Sequence, residues 1–475
     1  VSSFSRPVSR RPTTGTDPEL ATLATSYTYN ADRKITSTIV PEASGFQAVT
    51  QEYDAFGRLG SKFDPLSNVT TTYQYATNTS GVSTDQIAAL LTSDGVTVTN
   101  TYDGFLKTKT LWSSSSVSGA VSWTYDNFFR PATLQVGGTG ITYAYDADSL
   151  YIGTSSPPFQ VTRDVAGSSL DGLPHAATLG SVTEAWTYDG FGAVASYTVQ
   201  TSDGTVEYAM SGVGIGTPIT RDSLGRITSM QELVNGATHT WSISYDARGR
   251  LETVTRDGTT SSYDYDSNGN LTAINGATFG TFDAQDRMVS FTPPGGDLWS
   301  LTYTNNGDLT GKSDAAQSYA FNYDLSSNLR SVQASGPLSA EIDYIIDGMN
   351  RRIGKAITAG SGLIQEGLLY DEKRRVVAEL DGSNNVLSTF VYGLKPNVPD
   401  YMVHAGTTYR IVSDWRGDVR LVLDTTKTGA AAVVEQIDYD EWGNVTNLVD
   451  PACTLGGTEL CFQPFGLGAA LPERA

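Results

Sequence analysis

Tyr245-Asp246-Ala247-Arg248-Gly249-Arg250-Leu251 is followed, 20 residues on, by Tyr265-Asp266-Ser267-Asn268-Gly269-Asn270-Leu271. The same signature stands at Tyr53-Asp54-Ala55-Phe56-Gly57-Arg58-Leu59 and at Tyr188-Asp189-Gly190-Phe191-Gly192. It returns late in the chain at Tyr439-Asp440-Glu441-Trp442-Gly443-Asn444-Val445. Further Tyr-Asp pairs begin at Tyr102, Tyr125, Tyr145, Tyr263, Tyr323 and Tyr370. Degenerate copies fill the gaps, at Tyr29-Asn30, Asp222-Ser223-Leu224-Gly225-Arg226, Phe282-Asp283 and Tyr303-Thr304. A short repeat that runs through a chain decides its architecture before any single residue is weighed.

A period of 20 residues suits two strands of roughly six residues and two turns. The Asp is placed to accept backbone N–H groups at the start of a turn. The Gly three residues later supplies a positive φ that a side chain penalises. Thr, Val and Tyr on either side fit a pleated surface. Each repeat therefore reads as one β-hairpin, with successive hairpins paired side by side. The predicted structural turn residues are Tyr53, Asp54 and Gly57; Tyr188, Asp189 and Gly192; Tyr245, Asp246 and Gly249; Tyr265, Asp266 and Gly269; and Tyr439, Asp440 and Gly443. No window sustains helical apolar spacing with caps, and Thr84 to Leu91 reads either as one short helix or as another strand. The expected fold class is all-β.

The chain has 475 residues, 48 of them glycine, and a formal net charge of −20 with pI near 4.5. So acidic a protein repels phosphate backbones, which argues against a nucleic-acid partner. No run of about 18 apolar residues predicts a membrane span. Cys453 and Cys461 lack both a CxxC spacing and nearby His, so they read as free thiols or one local disulfide rather than a redox or metal pair. The chain opens at Val1 with an Arg- and Pro-rich stretch, and residues 1–26 read as a linker in a piece of a longer or processed polypeptide.

The signature resembles the Rhs/YD-repeat family, which includes bacterial Rhs polymorphic toxins, wall-associated proteins, the C components of insecticidal ABC toxins and animal teneurins. Val391-Tyr392-Gly393, Ser413-Asp414-Trp415-Arg416-Gly417-Asp418-Val419-Arg420 and the Tyr439 block look like the Rhs-associated core. Trp415 stands where that core usually has His, and Trp442 where it usually has Phe. The resemblance covers roughly residues 27 to 466. It divides the chain into a repeat array (27–366), a core-like segment (367–448) and a divergent tail (449–475). It implies a β-hairpin ribbon spiralled into a hollow, cocoon-like shell that encloses a C-terminal toxic domain. Phe462-Gln463-Pro464-Phe465-Gly466 continues the family pattern, but the sequence then diverges and lacks the aspartyl self-cleavage motif of many members. Protease or toxin activity is therefore not carried over to these residues.

Residues 27 to 448 hold about 21 repeats, and two strands per repeat at roughly 4.8 Å give a ribbon about 200 Å wide. Two turns of such a ribbon make a cylinder about 30 Å across; three give about 20 Å, which side chains nearly fill. One such chain encloses a small peptide at most, so a segment of shell is the expected product.

No constellation of catalytic residues stands out. His175, His239 and His404 are far apart and lack metal-type neighbours. Gly307 to Ser313 falls one residue short of a phosphate loop, with Asn306 where the first Gly belongs, and its repeat register makes it a hairpin turn. Asp264 to Gly269 matches half a calcium loop, but the twelfth position is Asn275 rather than Glu. Gly212 to Gly216 reads as an interrupted strand or loop. The sequons at Asn68, Asn78, Asn270 and Asn444 are expected by chance in a Thr-rich chain. The tyrosines read as a ladder of contacts along the wall, with sugar stacking as the alternative.

The expectation is a non-enzymatic shell segment without cofactor or metal, secreted or at the cell surface. Its expected partners are a toxin or effector segment, in cis or in trans, and a shell-completing protein. An extracellular adhesion or carbohydrate-binding module, with glycan partners, is the alternative. A β-propeller fits a doubled period but lacks its Gly-His and Trp-Asp marks.

Overall fold

The computed structural model describes residues 25–42, 45–78, 80–163, 172–213, 217–337, 339–359, 362–449 and 464–465. Both cysteines, nearly all of the N-terminal linker and most of the tail lie outside these residues. The chain is all-β, with strands from Ser26–Tyr29 through Val445–Val449. Among the described residues there is no α-helix, and one 3-10 turn stands at Gly429–Ala431. Among the described residues no helix is long and apolar enough to cross a membrane. Thr84 to Leu91 lies within the strand Ser83–Thr92.

Consecutive strands pair antiparallel almost throughout. Ala237–Tyr245 pairs with Leu251–Arg256, which pairs in turn with Thr259–Tyr265. A departure occurs where Val206–Ser211 pairs with Ile227–Val234, onto which the short strand Thr220–Arg221 also folds back. Twenty-four strands form one ladder and sixteen the next, and no pairing among the described residues closes either ladder on itself.

Two turn types alternate along this part of the ribbon. One is the five-residue Asp turn. The other has two residues, both at positive φ: Asn235-Gly236 (46° and 81°), Asp257-Gly258 (52° and 83°) and Asn275-Gly276 (52° and 74°). These are type I′ angles, whose twist matches that of the flanking strands. The sequence reading placed a second turn in each repeat without naming its residues.

By contact density the chain forms two compact units, each assembled from separate stretches. The first comprises residues 1–122, 279–369 and 380–385. The second comprises 123–278, 370–379 and 386–475. In the first unit Leu90, Val98, Trp112 and Val121 are buried from one stretch, and Ile342, Tyr344, Ile346 and Ile353 from another. Trp112 there donates its indole N–H to Asp347 Oδ2 at 3.2 Å.

The second unit is built differently. Its ribbon strands alternate, as in Val194–Thr201, where Ala195, Tyr197, Val199 and Thr201 are buried. Its late strands do not alternate: every residue of Val419–Asp424 is buried, as are the last four of Thr407–Ser413. One face of these strands, with Val412, Leu421 and Leu423, joins a cluster containing Tyr208, Met210, Met230 and Trp241. Strands covered on both faces read as continuous apolar runs, as in Leu421-Val422-Leu423.

Candidate functional site

The repeated residues meet in one local arrangement. In the Asp54 turn, Oδ1 accepts the amides of Phe56 and Arg58, both at 2.9 Å, and Oδ2 accepts the Arg58 guanidinium at 2.8 and 2.7 Å. Gly57 sits at φ +75°. Asp246 does the same with the amides of Arg248 and Arg250 and the Arg250 side chain, with Gly249 at +82°. In the Asp266 and Asp440 turns the amide groups of Asn270 and Asn444 replace the guanidinium, at 2.8 and 2.7 Å. Gly269 stands at +97° and Gly443 at +88°. Asp189 accepts the Phe191 and Ala193 amides, with Gly192 at +81°. The ladder slips by one residue at Tyr53, Tyr188, Tyr245, Tyr265 and Tyr439, a bulge that lets the Asp turn reverse the chain.

In three of these turns the bonds favour the ionised carboxylate. The Arg226 side chain bonded to Asp222 keeps that carboxyl below its ordinary range, as the Arg250 amide does for Asp246 and the Asn270 side chain for Asp266.

The tyrosines link neighbouring repeats. Tyr245 Oη donates to the carbonyl of Ile227 (2.9 Å), Tyr53 to Ile35 (2.7 Å), Tyr303 to Met288 (2.7 Å) and Tyr392 to Val376 (2.8 Å). The acceptor in each case lies just beyond the preceding turn. The basic residue that closes that turn lies over the same ring, as Arg226 does over Tyr245 at 4.2 Å and Lys34 over Tyr53 at 5.5 Å; Arg250 likewise lies over Tyr265 at 4.5 Å. Cation–π contact and hydrogen bond together fasten one hairpin to the next. The sequence reading singled out Tyr, Asp and Gly but missed the fourth member, Arg or Asn four residues after the Asp, although its recurrence was visible.

The second unit carries buried charge that the sequence reading did not single out. Arg410 pairs with Glu184, and Tyr197 Oη donates to Glu184 at 2.7 Å. Arg420 pairs with Asp438 at 2.8 Å and Glu232 at 3.3 Å, and Tyr208 Oη donates to Glu232 at 2.9 Å. Two Tyr–Glu–Arg triads thus bolt the late strands to the ribbon. A cavity of about 330 Å3 lies beside the first triad. Trp186, Tyr188, Tyr197 and Trp415 give it aromatic walls, and Arg221, Lys395, Asp400 and Asp414 line it with charge. Trp186 stacks on Tyr197 with centroids 5.0 Å apart. Asp400 accepts the Leu394 amide on both oxygens, at 3.2 and 3.1 Å. Lys395 donates to Ser413 Oγ at 2.5 Å and to the Asp414 carbonyl at 3.2 Å. Burial pushes the Asp400 carboxyl up to about 7 despite nearby Arg410. Burial, with Asp418 alongside, raises Asp414 as well. Burial and the like charge of Arg410 lower the Lys395 ammonium.

The other motifs lie in ordinary structure. Gly307 occupies a turn at φ +98°, and Lys312 lies over the Trp299 ring at 4.3 Å. Asn275 accepts the Ser262 amide at 2.8 Å. His175 stands edge-on to Tyr188, His239 pairs with Asp257 at 2.7 Å, and His404 contacts Ser388 at 2.9 Å. No group of three or more potential metal ligands occurs among the described residues. The Gly212 stretch lies partly outside the described residues.

Hairpins stapled in this way define a YD-repeat β-ribbon protein. The chain belongs to the Teneurin YD-shell family, whose profile matches residues 9–456. It is similar to the tRNA3(Ser)-specific nuclease WapA of Bacillus spizizenii and to the tRNA nuclease WapA of Bacillus subtilis. Each is 26% identical over 193 residues, which is 40% of this chain and 8% of the relative. Among solved structures it is similar to the Photorhabdus luminescens Tc holotoxin pore, with TM-score 0.42 and 12% identity over 92% of this chain and 28% of that one. A TcdB2–TccC3 structure without its hypervariable C-terminal region gives TM-score 0.39, 11% identity and the same coverage. The chain spans less than a third of those chains and under a tenth of the curated relatives.

Proposed function

We propose that this chain is a non-enzymatic wall segment of a YD-repeat shell that encloses or presents a toxin or effector segment. One observation carries the reading. The repeated Tyr, Asp and Arg side chains are engaged in holding turns and joining neighbouring hairpins, which is wall-building chemistry. On this reading residues 27–366 form the repeat array, and residues 367–448 are the core-like segment that the two buried triads tie to it. The turn residues of the Tyr53, Tyr188, Tyr245, Tyr265 and Tyr439 repeats are structural. The effector joins in cis or in trans, and a shell-completing protein supplies the rest of the wall. The assembly works in secreted form or at a cell surface. Electron microscopy of the purified chain, with intact mass taken on the same sample, tests this. A wall one sheet thick curving around a hollow supports it; a solid particle or a disc of radial blades rules it out.

A further inference from the structure

We propose that Lys395 of the second unit is a reactive amine that holds a small aromatic aldehyde in the cavity as a Schiff base. The cavity lies within one unit, so the site does not depend on the wall reading. Its volume of about 330 Å3 is at the small end of ligand pockets and suits one aromatic ring with a formyl group.

Lys395 is placed as a nucleophilic lysine requires. It lines the cavity, and it donates to Ser413 Oγ at 2.5 Å and to the Asp414 carbonyl at 3.2 Å, a hydroxyl and an amide rather than a carboxylate. Glu184 is committed to Arg410 and Tyr197. The Lys395 side chain is therefore desolvated near the like charge of Arg410, and both effects lower its ammonium toward the free amine. Asp414, Glu184 and Asp400 pull the other way without reversing the shift. A lysine desolvated in a pocket beside another cation is activated toward carbonyl groups in this manner. Trp186, stacked on Tyr197, and Trp415, 49% exposed, supply ring faces for an aromatic aldehyde.

The proton balance closes within the cavity. The amine lone pair attacks the carbonyl carbon, a C–N bond forms, and the carbonyl oxygen takes a proton from the nitrogen to give a carbinolamine. Asp400 lines the same cavity, and its carboxyl, raised to about 7, keeps its proton at mildly acidic pH. It passes that proton to the carbinolamine hydroxyl, the C–O bond breaks and water leaves. The products are a protonated imine on Lys395 and the Asp400 carboxylate, which pair as opposite charges. No oxidant or reductant enters the step.

The test is reductive trapping. The whole chain is incubated with benzaldehyde and sodium cyanoborohydride near neutral pH, and peptide mass mapping reads the label on each of the nine lysines. Lys395 should be labelled at least about tenfold faster than Lys427, an exposed ammonium that its bond to Asp424 raises. The Lys395 rate should saturate at millimolar benzaldehyde, as suits so small a ligand. Trp415→Ala should raise the half-saturating concentration and leave the Lys427 rate unchanged. Asp400→Asn still accepts the Leu394 amide but has no proton to give, so it should slow the labelling of Lys395 by at least about tenfold and flatten its pH profile. The proposal fails on the unmodified chain if Lys395 reacts no faster than Lys427. It fails equally if the Lys395 rate rises in proportion to benzaldehyde without saturating, which marks an amine with no binding site, or if Asp400→Asn reacts normally.

Discussion

The fourth residue of each Asp turn stands in the left-handed region, and glycine is one of several solutions there. Gly57, Gly249 and Gly269 take φ of 75° to 97°, whereas Phe129, Ser149, Ser327, Asn350 and Arg374 hold the corresponding position at 56° to 67°. The turn is therefore imposed by the Asp bonds and the flanking ladders, and the left-handed residue adapts. A Cβ added at Gly269 meets nothing within 4 Å, so the cost of a side chain there is conformational alone. Gly269→Val should destabilise by about 1–2 kcal/mol because a β-branched residue tolerates this region poorly. Gly269→Asn should come within about 0.5 kcal/mol of wild type, since Asn visits the region at low cost. Ser267→Ala should be nearly neutral. Thermal melts in which Val, Asn and Ala behave alike would show that position 269 does not need a left-handed conformation.

At the scale of the strand, the two Tyr–Glu–Arg triads decide how the late segment is held. Glu184 and Arg410 are both buried, so removing one partner strands the other charge. Glu184→Ala should cost about 3–5 kcal/mol in urea unfolding, whereas the double change Glu184→Leu with Arg410→Met should recover most of that loss. Equal destabilisation by the single and double variants would mean that the pair is not the source of the effect. This layer was the least legible in the sequence. The hairpins were readable because Tyr, Asp and Gly recur at a local spacing that local physics explains. The arginine clamp recurs as openly, four residues after Asp54, Asp222 and Asp246, but its purpose shows only once the next repeat's ring lies beneath it. Glu184 and Arg410 are separated by 226 residues and occur once, so no periodicity marks them. The same holds for the cavity: Trp415 was visible as a departure from the usual core block, but Trp186 and Lys395 join it through tertiary packing alone.

For the whole molecule, buried and exposed carboxylates make opposite demands on pH. Asp222, Asp246, Asp266 and Asp381 are held below the ordinary range by their turn partners. Their contribution is complete above the usual carboxylate pKa and is lost as pH falls through the lowered values. Asp400 is raised from 3.8 to about 7, and Asp414 moves in the same direction. For these two the folded state binds more protons than the unfolded chain between the ordinary and the raised values. Stability therefore falls as pH rises through that window, by on the order of 4 kcal/mol for Asp400 once its carboxyl is fully ionised. Arg410 and Lys395 face Asp400 as cations and hold the shift down, while Glu184 raises it and burial dominates. The two trends place the stability maximum on the mildly acidic side. The urea midpoint should be higher near about pH 5.5 than near about pH 8. Asp400→Asn keeps an acceptor for the Leu394 amide but cannot ionise, so it should flatten most of that difference. A wild-type midpoint that is level across the interval, or an Asp400→Asn chain with the same slope, would remove the buried carboxylate as the source of the pH response.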